Sequence, residues 1–187
     1  MWIAIAVAAV VLLYVIAVYN GLVARRTQTR EAWSTIDTQL KRRYDLIPNL
    51  VNAVKGAAKH ESGTLEAVLK ARNSAMSAMS GGDAGTRAAA ENNLSGTLKS
   101  LFALSENYPT LRANDNFLEL QRELADTETK IQSARQFYNT VVMGLNERIA
   151  QFPGNLIAGL FKIAPEKFFE LDEDEKAAVK KAPKVEF

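Results

Sequence analysis

The sequence predicts an all-α protein: an N-terminal transmembrane helix, an antiparallel up-down bundle of about four long helices, and a short C-terminal tail with a small helix. Three observations carry this. Met1 to Tyr19 contains no charged side chain, and the first charge in the chain is Arg25. Behind that stretch, apolar residues recur every three or four positions as far as Phe152, and no segment alternates with period two. Glycine- and proline-containing breaks then divide the pattern. The expected organisation is an anchor over 1–23, a cytoplasmic helical bundle over 24–153 and an aromatic-rich tail over 154–187.

Nineteen helical residues reach roughly 28 Å, close to the ~30 Å hydrocarbon thickness of a bilayer. A cleaved secretory signal is the rival reading, but it wants a basic n-region, and no Lys or Arg precedes the apolar run. A buried core helix is disfavoured because the segment is apolar on every face. Trp2 and Tyr19 bracket the segment at the two interface levels. Arg25, Arg26 and Arg30 follow it closely, so the positive-inside rule places Met1 outside and the rest in the cytoplasm. A chain without cysteine agrees with a reducing compartment.

About 165 residues follow the anchor, enough for one domain with its own core. The balance of 23 basic to 21 acidic residues is too even for a nucleic-acid binder. Residues 25 to 59 are locally basic, which suits topology and a solvated helix face, or attraction to anionic headgroups.

The first stripe runs Trp33, Ile36, Leu40, Tyr44, Ile47, Val51, Val54 and Ala58. Pro48 lies inside it, and because the stripe keeps its phase we expect a kinked continuous helix. The second stripe is Leu65, Val68, Arg72, Ala75 and Met79; the third is Ala90, Leu94, Thr97, Leu101, Leu104 and Tyr108. Gly81-Gly82-Asp83 separates those two helices, with Asp83 or Thr86 as the cap, and Asn107-Tyr108-Pro109 ends the third. The fourth runs from Phe117 through Leu124, Ile131, Tyr138 and Leu145 to Phe152, with a mean spacing of about 3.5 residues, a coiled-coil-like seam. Asn114 is its expected N-cap, and Phe152-Pro153-Gly154 its end. In the tail, Phe152, Leu156, Leu160, Phe161, Phe168 and Phe169 either cap the bundle or form an oligomer or lipid surface. Asp172 to Glu175, followed by Lys176, Lys180 and Lys181, suits a small solvated helix with an acidic start and a basic end.

Chemistry is not legible. His60 is the only histidine, so neither a zinc-protease helix nor paired Glu-x-x-His di-iron elements can be assembled. The Gly81–Gly85 run lacks the Lys-Ser/Thr of a phosphate loop, and no serine has a histidine to activate it. No catalytic, cofactor-binding or metal residue is therefore assigned. Charged residues lie near the stripes instead: Arg43, Asp45, Arg72, Glu106, Glu128 and Arg135, joined by Asn49 and Asn139. Buried charges persist only when paired, so these are expected to form a structural interhelical network, with a ligand or partner pocket as the alternative.

Certain residues go beyond periodicity. Tyr19-Asn20-Gly21-Leu22-Val23, Trp33 to Asp37, the core Asp45-Leu46-Ile47-Pro48-Asn49-Leu50-Val51, Ala71-Arg72, Glu106 to Pro109, Ala134-Arg135, Tyr138-Asn139, Asn146 and the closing Ala-Pro-Lys-Val-Glu-Phe together resemble the LemA family. The resemblance implies a bacterial inner-membrane protein with one N-terminal span and a cytoplasmic helical bundle, and supplies no activity. By association alone it points to magnetosome vesicles or to neighbouring membrane proteases. The expected function is a non-enzymatic, membrane-anchored scaffold whose partners are the bilayer and further copies of itself, with an adaptor for another membrane protein as the alternative.

Overall fold

A long run of helix-compatible residues without a glycine or proline break propagates as one helix, since each added residue closes one more backbone hydrogen bond. The computed structural model describes residues 1–57, 61–81 and 84–169, and its regular structure is entirely α-helical. Helix α1 is Trp2–Ala57, α2 is Ser62–Gly81, α3 is Ala84–Ser105, α4 is Pro109–Arg112, α5 is Asp115–Ala150 and α6 is Gly154–Leu160. No strand occurs among the described residues. His60, Asp83, the acidic run from Asp172 and the closing motif lie outside them.

The expected boundaries are met closely, with two additions. Asn114 caps α5, its Oδ1 accepting the Phe117 N–H at 3.2 Å. Thr86 falls inside the first turn of α3, so it is not that helix's cap. The one-turn α4 places Pro109 where a missing N–H costs nothing. Helix α6 closes as a Schellman turn: Ile163 N–H reaches Ala158 O at 2.9 Å and Lys162 N–H reaches Gly159 O at 3.3 Å, with Lys162 at φ 55°.

The chain forms two compact units. Unit 1 is Met1–Ile36 with Ser133–Phe168, and unit 2 is Asp37–Gln132 with Phe169. Helices α1 and α5 each contribute to both.

In unit 1 the start of α1 is long and apolar enough to cross a membrane, and none of its most apolar stretch is buried. Further along, α1 and α5 run antiparallel, with Arg25 beside Gly144 and Trp33 edge-on to Tyr138 at 5.0 Å. Leu22, Ile157, Ala158 and Ile163 form a small core, against which Val15, Val18, Tyr19 and Ile149 pack. Tyr19 also lies 4.4 Å from the Phe161 ring. The tail therefore splits: Ile157, Ala158 and Ile163 are buried, while Phe152 is 80% and Leu160 74% exposed. Leu156, Phe161 and Phe168 are exposed as well. Phe169, expected on the same surface, is instead buried.

In unit 2, α1, α2, α3 and the start of α5 bury Leu40, Ile47, Leu50, Val54, Val68, Leu94, Leu101, Phe117 and Ile131. Residues 37 and 43 of α1 pair with 87 and 91 of α3, so these two helices run the same way, as an up-down succession requires. Pro48 does not break α1. A proline leaves the carbonyl four residues earlier without its helical donor. That carbonyl belongs to Tyr44, and Arg72 Nε donates to it at 2.7 Å.

Candidate functional site

The main concentration of buried charge among the described residues lies inside unit 2. Arg43 and Glu91 are each about 1% exposed. Arg43 Nη1 is 3.4 Å from Glu91 and 3.2 Å from Glu128, and Nη2 donates to Ser95 Oγ at 2.7 Å. Tyr44 donates its hydroxyl to the other oxygen of Glu91. Burial, then the adjoining Glu91 carboxylate, pushes the Tyr44 phenol well above its ordinary range and keeps it a donor. About two turns back on α1, Asp37 Oδ1 pairs with Arg87 Nη1 at 3.1 Å. Burial raises the Asp37 carboxyl, and the Arg87 charge and hydrogen bond pull it back down.

Arg87 has a second task. Its Nε donates to Ala78 O at 3.3 Å and its Nη2 to Met79 O, both in the last turn of α2. Those carbonyls have no intrahelical donor, and a cation there also opposes the helix dipole. Three arginines thus repair three different deficits. Arg43 neutralises the buried Glu91 and the half-buried Glu128, Arg72 serves the carbonyl orphaned by Pro48, and Arg87 closes the end of α2.

Of the residues expected in a polar network, the structure brings together Arg43 and Glu128, with Arg72 bound nearby to the Tyr44 carbonyl. Asp45, Asn49 and Glu106 are exposed and stand outside it. On a helix this follows from phase: Asp45 and Asn49 are four apart, on the face opposite Arg43, Ile47 and Leu50. Arg135 and Asn139 are half-buried and belong to unit 1. Sequence reasoning missed Asp37, Arg87, Glu91 and Ser95, and took Tyr44 for a plain apolar position. A signal existed: the inner face of α3 begins at Arg87 and Ala88 and then runs Glu91, Leu94, Leu98, Leu101 and Ser105 in steps of three and four. The predicted stripe stands one position off this face at Ala90, Thr97 and Leu104, which are half-buried.

Unit 1 presents polar groups differently. Asn146 clamps the extended backbone at Glu166, donating from Nδ2 to its carbonyl at 2.9 Å and accepting its N–H at 3.0 Å. Tyr138 donates to Lys167 O at 2.9 Å. Burial, with the Glu166 carboxylate second, pushes the Tyr138 phenol up to about 12. Among the expected interface residues, Trp2 and Arg30 are exposed, Arg25 is half-buried, and Arg26 is 3.9 Å from Glu166 in a solvent-screened pair. Tyr19 is held by Phe161 rather than standing free.

No group of three or more His, Cys, Asp or Glu that could hold a metal occurs among the described residues. The buried charges meet one another across helices, the pattern of an interior that sets register. Fold and site together define a class: an all-α protein whose helices are keyed by buried ion pairs and whose first helix carries a charge-free stretch of membrane-spanning length. Residues 32–187 match the model of the LemA family, and the chain belongs to that family. Magnetosome protein MamQ 2 of Paramagnetospirillum magneticum is 22% identical, the match covering 81% of this chain and 64% of that protein. Magnetosome protein MamQ of Magnetospirillum gryphiswaldense is 23% identical, over 75% of this chain and 60% of its own length. The chain therefore spans a little under two-thirds of the curated relatives it matches.

Proposed function

We propose that this protein is a non-enzymatic scaffold, anchored in the bacterial inner membrane by the start of α1, that self-associates through its helical surface. The observation that carries the anchor is the fully unburied apolar stretch at the head of α1. Such a surface is stable only where water is absent. Self-association is supported by the exposed Phe137 and Met143 on α5 and by the exposed tail residues. The arginines after the stretch favour an outside N-terminus and a cytoplasmic bundle.

The deciding experiment is the mass and composition of the full-length protein gently extracted from its native membrane. A large homogeneous assembly of this chain alone is expected. A small particle carrying a second membrane protein would replace the scaffold with the adaptor reading. Orientation is tested with single cysteines, Ile3→Cys and Ser77→Cys, in a chain that has none. They should label from opposite sides, and labelling from one side overturns the topology.

A further inference from the structure

Within unit 1 a groove of about 590 Å³ opens between the end of the apolar stretch of α1 and the corner where α5 leads into α6. Its lining changes character along one helix face. Tyr14 and Val18 begin it, and Arg25 and Gln28 end it, with Arg148, Gln151 and Phe152 on the facing wall. Positions 14, 18, 25 and 28 share a face of α1, because each step is close to a whole number of turns. From residue 14 to residue 25 the helix advances roughly 16 Å, about the depth of one leaflet's hydrocarbon.

The polar end is cationic. No carboxylate lines the groove among the described residues. Arg25 lies against α5 at Gly144, where a Cβ built on the glycine would come within 2.9 Å of Nη1 at the tip of the arginine. Arg148 is one turn further along the same helix. Neither Arg25 nor Arg148 forms an ion pair among the described residues, whereas Arg26, Arg43 and Arg87 all do. The surroundings are apolar: Phe152, Leu156, Leu160 and Phe161 are all exposed around α6, which packs on Leu22 of the same stretch.

We propose that this groove binds one anionic phospholipid, its phosphate on Arg25 and Arg148 and its acyl chains along Tyr14, Val18 and Phe152. Planar guanidiniums suit a phosphodiester, which they bind through paired N–H donors. Gln28 and Gln151 serve the glycerol and ester oxygens. With no carboxylate to receive an ammonium group, the site favours an uncharged headgroup substituent such as glycerol. The exposed face of α6 lies in the same leaflet, as an interfacial helix does. This assignment rests on the anchored reading above.

The test is native mass spectrometry of the full-length protein, delipidated in detergent and titrated separately with phosphatidylglycerol, phosphatidylcholine and inorganic phosphate. One phosphatidylglycerol per chain is expected, with about tenfold or greater preference over phosphatidylcholine, lost in Arg25→Gln/Arg148→Gln. Gly21→Phe fills the groove from a position where a Cβ meets open space, and should weaken both lipids without unfolding the protein. Equal binding of phosphatidylglycerol by the wild type and the double-arginine variant overturns the proposal. So does displacement of the lipid by inorganic phosphate at comparable concentration, which would make this a free-anion site. Carbonate washing of native membranes separates the two readings. A protein that stays embedded yet shows no lipid preference sinks only the groove, whereas one that washes off sinks the anchor and the groove with it.

Discussion

Unit 2 buries Arg43, Glu91 and Arg87 among its leucines and isoleucines, whereas in unit 1 the buried set is apolar apart from Thr29 and the Tyr138 hydroxyl. Thr29 needs no partner from another helix, since its hydroxyl turns back to Arg25 O at 3.0 Å. Unit 1 keeps its polar contacts at the rim, on the extended segment after α6. The contrast is one of specificity against tolerance. Apolar helix faces pack in several registers at similar free energy, whereas a buried arginine with its carboxylate accepts one. A stretch that is to sit in lipid has no use for such pairs, because hydrocarbon makes unpaired charge more expensive still.

The comparison is broken most severely at Arg43. Arg43→Met strands Glu91 in the interior and should cost about 3–5 kcal/mol in thermal unfolding of the full-length protein. Adding Glu91→Leu should recover much of that loss. If the single variant melts like the wild type, the pair does not organise unit 2.

Next is the proline repair. Arg72→Met leaves the Tyr44 carbonyl unsatisfied and should cost about 1–3 kcal/mol. Pro48→Ala restores an N–H to that carbonyl, so in the Pro48→Ala background the same substitution should cost far less. Additive losses in this double-mutant cycle would show that the contact is incidental.

Unit 1 should respond more gently. Asn146→Ala removes two hydrogen bonds to Glu166 at a half-buried position, for about 1 kcal/mol, read best as faster proteolysis within 163–168. The smallest effect at neutral pH belongs to Tyr138. Its folded phenol titrates at about 12 against 10 for the ordinary group, so its contribution is intact below pH 10 and is lost as pH rises towards 12. Tyr138→Phe should flatten that alkaline decline, and an unchanged decline would mean that another group sets it.

Much of this architecture was legible in the sequence, for identifiable reasons. The charge-free run, the Asn114 cap and the unbroken stripe of α5 depend on local chemistry and helical period, and each is where it was expected. Helix α6 was missed because its seven residues are too few for a period to register and follow Pro153 directly. The interior network was half-read. Arg43, Arg72 and Glu128 betray themselves by falling near apolar stripes, but Glu91 and Arg87 sit on the inner face of α3 itself, one position off the stripe the apolar pattern suggests. The groove was invisible, because residues 14–28 and 148–154 come together only through tertiary structure.

The bond from Arg72 to Tyr44 makes the completion of one helix conditional on the arrival of another. Before α2 docks, the carbonyl opposite Pro48 can be served only by water. Docking must expel that water and replace it with a guanidinium delivered to one address. A slip of α2 by a single turn would carry the donor about 5.4 Å away and leave the vacancy unfilled. The residue that ends most helices here works as a notch in a key, cut into the longest helix of the chain, that only the correctly seated neighbour can turn.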